Sequence, residues 1–184
     1  METEAAQAGA AAPATDGSHA ADAAASDGWA PSRSIGFTLS TLGFAVSAAF
    51  REKLAPLGLE PRDFALLRAI GGAEGASQQA VGAQLGIPPS RMVAFVDALE
   101  ARGLVERRPQ PADRRARALH LTAAGRALQR RAFAVAAAFE QELSSGLRGG
   151  EPERLRELLG RVGETLGLAP GVHAAHKHAP QDCP

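Results

Sequence analysis

The 184 residues balance 20 basic against 20 acidic side chains, and 45% of them are apolar, which suits one folded domain with a single core. Seven Phe, one Trp and no Tyr leave Ala and Leu to supply most of the apolar content, favouring helices over sheets. The one cysteine, Cys183, excludes an intrachain disulfide scaffold, a composition compatible with a reducing compartment.

The charge is unevenly spread. Residues 1–101 hold six bases and eleven acids, whereas residues 102–131 hold nine arginines against only Glu106 and Asp113. A neutral chain that gathers its positive charge into thirty residues presents a local basic surface.

Residues 1–32 are rich in Ala, Gly, Asp, Ser and Pro, with no large apolar residue between Met1 and Trp29, and read as a disordered, low-complexity extension. Its acidic start lacks the basic and apolar regions of a secretory signal. Residues 33–168 read as the folded part, and the Pro- and Gly-containing tail 169–184 reads as disordered. The stretch Ser34–Phe50 has no charge, but it is shorter than the roughly 20 apolar residues of a membrane span and includes five Ser or Thr. It predicts a first helix over about 34–54, with Leu39, Leu42, Val46 and Phe50 on one face.

Pro61 suits the first turn of a second helix, about 61–71, carrying Phe64, Leu67 and Ile70 inward. Ser77 is a good N-cap for a short third helix that buries Val81 and Leu85 and stops at Gly86. Ile87-Pro88-Pro89 turns the chain into a fourth helix, about 89–102, where Met92, Phe95, Val96 and Leu99 form one apolar stripe and Gly103 ends it. Two β-prone runs follow, Leu104–Arg108 and Arg117–Thr122, around an Arg- and Pro-rich tip. Thr122 caps a long fifth helix to about Ser145, with Leu128, Phe133, Ala136, Phe139 and Leu143 inward. A sixth, about 151–167, aligns Leu155, Leu158, Leu159, Val162 and Leu166.

Two short helices joined by a tight turn, then a basic hairpin, match the shape of B-DNA. A helix fits the major groove, where each base pair shows a unique pattern, and arginines on a hairpin tip suit the narrow minor groove beside it. Arg107, Arg108, Arg114, Arg115 and Arg117 lie in or beside that hairpin.

Residues 57–128 resemble the MarR family of bacterial regulators. The most specific pieces are Leu85-Gly-Ile-Pro-Pro-Ser90, Leu99-Glu-Ala-Arg-Gly-Leu-Val-Glu-Arg107, and Asp113-Arg-Arg115 followed by Leu121-Thr-Ala-Ala-Gly125. With the flanking helices the likeness spans about 34–167. The resemblance implies a mainly α winged helix-turn-helix: residues 57–122 as the DNA-binding lobe, residues 34–54 and 123–167 as dimerisation helices. It further implies a cytoplasmic homodimer on a near-palindromic duplex site, often a repressor released by a small ligand.

By the same resemblance Arg115 enters the minor groove and Asp113 braces the wing by pairing with an arginine. An effector pocket, which in this family takes small aromatic acids or phenols, would draw on Phe37, Phe44, Phe64 and Phe133. The recognition helix departs from the family: positions that usually hold Thr and Arg hold Val93, Ala94 and Ala98. Base readout would rest on Ser90, Arg91 and an apolar contact of Val93 with a thymine methyl, leaving Ala94 on a donor-poor face. That face also allows a different reading, a winged-helix protein-interaction module or a low-specificity DNA binder. No enzyme is expected, because the folded part offers His120 without a cysteine, and neither a metal nor a cofactor is expected. His173, His176 and His178 in the tail match no closed metal site.

Overall fold

The structure, a computed structural model, describes residues 31–109 and 117–168. Most of the low-complexity extension, the C-terminal tail with Cys183 and its histidines, and the hairpin tip with Asp113, Arg114 and Arg115 lie outside the described residues. Pro31–Arg33 form a 3-10 turn, so regular structure begins slightly before residue 33.

The chain falls into two compact units, Met1–Val46 and Ser47–Pro184, and helix α1 (Ile35–Leu54) runs through the boundary. In the first unit the Ser34 hydroxyl accepts from the Phe37 N–H at 3.2 Å, and Thr38 donates back to the Ser34 carbonyl at 2.9 Å, which starts the helix. Its large apolar side chains face solvent: Phe44 is 81% exposed, and Ile35, Phe37 and Leu42 are at least half exposed.

The second unit holds the core. Leu54 closes α1 inside it, and a 3-10 turn (Ala55–Leu57) ends at Gly58, whose φ of 64° suits glycine. Helix α2 (Pro61–Gly72) opens with Pro61 and a reciprocal capping box between Glu60 and Asp63. It buries Leu66, Leu67, Ala69 and Ile70. Helix α3 (Gln78–Leu85) is capped by Ser77, whose hydroxyl accepts from the Ala80 N–H at 3.1 Å, and stops at left-handed Gly86. Helix α4 (Pro89–Ala101) buries Met92, Val96 and Leu99, and Phe95 packs half-buried against the same core.

Strands β1 (Val105–Pro109) and β2 (Arg117–Leu121) pair antiparallel, with Val105 opposite Leu121 and Pro109 opposite Arg117. A third, very short partner joins them. Leu119 donates to the Ala76 carbonyl and accepts from the Gly75 N–H, both at 2.9 Å, and Ser77 bridges Ala118. The hairpin is therefore stitched to the segment that leads into α3, the support that so short a hairpin needs.

Helix α5 (Ala123–Ser144) starts where Thr122 works three ways. Its hydroxyl accepts from the Gly125 N–H at 2.9 Å and donates to the Gly103 carbonyl at 2.6 Å, and its N–H reaches the Leu104 carbonyl at 3.1 Å. Helix α6 (Glu151–Thr165) completes the described chain.

The core residues expected in α2, α3 and α4 are buried or half-buried, and the helices expected to serve dimerisation leave much of their apolar stripes exposed. Phe133 and Leu143 of α5, read as inward, are 41% and 46% exposed, and the stripe residues Leu42 of α1, Leu155, Leu158 and Leu159 of α6 and Leu166 just beyond it are 41–68% exposed. Periodicity marks an apolar face without saying whether the same chain covers it. Among the described residues no helix is long and apolar enough to cross a membrane.

Gly125 and Gly71 give a paired test of this packing. A Cβ on Gly125 would lie 1.9 Å from the Leu104 carbonyl oxygen, whereas one on Gly71 meets only side chains, the Gln129 amide at 2.2 Å and Leu121 Cδ1 at 2.9 Å. Gly125→Ala should cost about 3 kcal/mol because backbone must move. Gly71→Ala should cost about 1 kcal/mol, mostly through the Gln129 hydrogen bond to the Leu67 carbonyl. Urea unfolding of both variants checks the order.

Candidate nucleic-acid interface

The turn between α3 and α4 is short because Gly86 takes the left-handed conformation (φ 67°) and the Ile87 N–H returns to the Gly82 carbonyl at 2.9 Å. With Met92, Val96 and Leu99 turned inward, Ser90, Ala94, Asp97 and Ala101 form the exposed face of α4. Val93 flanks it at 45% exposure, and Arg91 is half-buried on the other flank. The residues expected at a DNA surface from this helix, Ser90, Arg91, Val93 and Ala94, thus occupy one end and its margins.

The C-terminal half of α4 is tied by side chains on two sides. Arg102, just past its last turn, donates to Asp63 at 3.1 Å and to the Gly58 carbonyl at 2.7 Å, tying it to the start of α2. The Arg62 guanidinium lies 5.2 Å from the centre of the Phe95 ring. On the hairpin side Arg107 makes the densest set of contacts. Its guanidinium donates to Glu100, to Asp97 at 2.6 Å and to Gln78 at 3.0 Å, while its backbone N–H reaches Glu100 at 3.1 Å. One side chain on β1 therefore links α3, α4 and the wing.

That geometry changes the reading of Arg107. It was expected to touch DNA, but its side chain is only 19% exposed and its donors serve neighbouring side chains. Burial and bidentate pairing favour a bracing role of the kind the resemblance assigned to Asp113 and a nearby arginine. Sequence reasoning missed Gln78, Asp97, Glu100 and Arg102 as braces. Asp97 and Glu100 are visible as carboxylates three apart on one helix, but only the hairpin register brings Arg107 to them.

Arg117, opposite Pro109 at the base of the tip, is exposed, and neither it nor Arg91 forms an ion pair with the described residues. Arg108 pairs with Glu106 at 2.6 Å. Of the expected wing residues, Asp113, Arg114 and Arg115 belong to the undescribed tip.

The four phenylalanines expected to line a pocket are divided between the two units. Phe64 and Phe133 meet edge-to-face with centres 5.7 Å apart, and Phe50 joins them to Phe139 in a chain of ring contacts. Phe37 and Phe44 belong to the other unit. A cavity of about 420 Å³ lies elsewhere, between α3 and α4, with Gln79, Gly82, Ala83, Met92 and Val93 in its lining. Among the described residues no cluster of His, Cys, Asp or Glu is placed to hold a metal.

If Arg107 braces rather than binds, its removal has a distinct signature. Arg107→Ala should lower stability by about 1–2 kcal/mol, discounted because its carboxylate partners are partly exposed. Arg107→Lys should recover less than half of that, since it cannot span the same acceptors. The salt dependence of duplex binding should keep its slope in Arg107→Ala but shrink by about 0.9 in Arg117→Ala, for one lost phosphate contact.

Comparison with known proteins agrees with this architecture. The MarR family model matches residues 57–116. The structure of the transcriptional repressor CouR bound to a 23-mer DNA duplex is 33% identical, with a TM-score of 0.67 over 72% of this chain and 94% of that one. CouR from Rhodococcus jostii RHA1 bound to p-coumaroyl-CoA is 36% identical, with a TM-score of 0.63 over the same shares. The repressor Rv2887 of Mycobacterium tuberculosis H37Rv is 28% identical over 136 residues, 74% of this chain and 98% of that protein. A short capped α3, a left-handed turn, an apolar-striped α4 and a stitched hairpin, in this order and with these relatives, place the chain in the MarR family of winged helix-turn-helix transcriptional regulators.

Proposed function

We propose that this regulator is a sequence-specific repressor that binds duplex DNA as a homodimer, with α4 in the major groove and the hairpin tip in the adjacent minor groove. The observation that carries the reading is the fixed offset between α4 and the hairpin, imposed by Arg107 and by the Leu119 bonds to Gly75 and Ala76. Only a rigid offset lets a helix and a wing engage two neighbouring grooves together. CouR, its relative, is a repressor seen on a DNA duplex.

The homodimer is supported by the exposed leucine stripe of α6 and the exposed apolar residues of α1, which a single chain leaves in water. Two copies would place their recognition helices about one turn apart, roughly 10 bp, on a near-palindromic site. Ser90, Arg91, Val93 and Ala94 would face bases, Arg117 and Arg114 phosphates, and Arg115 the minor groove, with Asp113 steadying the wing.

Release by a small aromatic or phenolic ligand is part of the proposal. The half-exposed edge of the Phe50–Phe64–Phe133–Phe139 chain supports an aromatic binding role, and CouR is seen with p-coumaroyl-CoA. The role is regulatory, not enzymatic, and the site of action is the cytoplasm, where the chromosome lies. One observation favours a second reading as a protein-interaction module: Ala94, Ala98 and Ala101 leave the exposed face of α4 short of donors.

A salt titration on a mixed-sequence duplex decides between the two. The first reading expects binding that weakens steeply with salt and is reduced at least about tenfold by joint Arg114→Glu and Arg115→Glu exchange. A folded dimer with no affinity at low salt would leave the protein-interaction reading in its place.

A further inference from the structure

The exposed face of α4 offers bases little to bond with, yet beside it the structure opens an apolar recess. Val93 forms one wall, Met92 and buried Gly82 form the floor, and Ala83 and Pro89 stand at the rim with the exposed amide of Gln79. No charged side chain lines it. Gly82 lets α3 approach the turn and α4 closely beneath it: a Cβ there would sit 3.3 Å from the Ile87 carbonyl oxygen and 3.4 Å from Met92 Cγ.

We infer that this seam between α3 and α4 takes the 5-methyl group of thymine, so that Val93, backed by Gly82 and Met92, selects A·T pairs at that position of the site. The inference rests on the duplex-DNA reading above and gives the expected contact of Val93 with a thymine methyl a seat between two helices, with Met92 and Gln79 as further participants. The methyl of thymine is the one apolar feature that base edges present in the major groove. A recess without charge has nothing to offer a phosphate, whereas removing a methyl from water against Val93 and Met92 is favourable. The Gln79 amide at the rim has the donor and acceptor that match N7 and N6 of a neighbouring adenine. Selectivity thereby moves from the outer face of α4 to the seam between the two helices.

The test isolates the methyl. Random 30-bp duplexes are selected on the full-length chain, and the enriched pool is copied with either dTTP or dUTP, so that sequence, charge and pairing stay the same. The uracil copy should bind about fourfold more weakly for each methyl seated. Val93→Ala should bring the two copies to near-equal affinity, with its thermal unfolding midpoint and salt slope unchanged because Val93 is half exposed and uncharged. Equal binding of both copies by the unaltered protein overturns the inference while the duplex-DNA reading stands. A thymine preference that survives in Val93→Ala also overturns it, since the methyls then act through duplex shape. A pool that never enriches overturns both.

Discussion

The wing of this protein stays where it is because Leu119 exchanges two backbone hydrogen bonds with Gly75 and Ala76, immediately before α3. A two-stranded hairpin is marginal in water by itself. Stitched to the approach to α3 and clamped by Arg107 to α3 and α4, it becomes part of the helix-turn-helix. The base of the hairpin is equally constrained, for Thr122 and Gly125 hold the start of α5 against Gly103 and Leu104. The Leu-Thr-x-x-Gly pattern thus has a physical cause: a hydroxyl that serves two partners, then a residue without Cβ where helix meets carbonyl.

The interior and the rim divide the work. Among the described residues the core is apolar, with no buried polar or charged side chain, so burial supplies most of the stability. The polar contacts lie around it and are individually weak, as partly exposed ion pairs are. Their value is directional. Arg102 fixes one end of α4 through Asp63 and Gly58, and Arg107 fixes its other edge through Asp97 and Glu100. An apolar stripe allows a helix to rotate by some degrees at little cost, and ties on two sides remove that freedom.

The outer helices follow a different rule. Helix α6 buries none of its residues, and its leucines share one exposed stripe. A face of that size costs free energy in water unless something covers it, and a second copy offers an identical face with the same need. The ring contacts from Phe64 through Phe50 to Phe139, with Phe133 at the margin, lie where α5 meets α2 and the last turns of α1. A change in how the outer helices pack would be felt there first.

Local chemistry in the sequence determined the elements and their limits. Ser77 and Thr122 as caps, Pro61 and Pro89 at first turns, Gly86 and Gly103 at helix ends, and the stripes of α2 to α4 are all short-range effects, and each stands where the residues place it. The family was legible for the same reason, because its motifs are these turns and caps. Only the tertiary structure decided which arginines face outward and which are braces. The partners of Arg107 lie 7, 10 and 29 residues away and meet it through strand register and helix packing. It alone showed that the apolar stripes of α1 and α6 remain uncovered by their own chain, and that a recess opens between α3 and α4. A sequence records the period of a face but not its distance to a neighbour, and both pairing and burial are questions of distance.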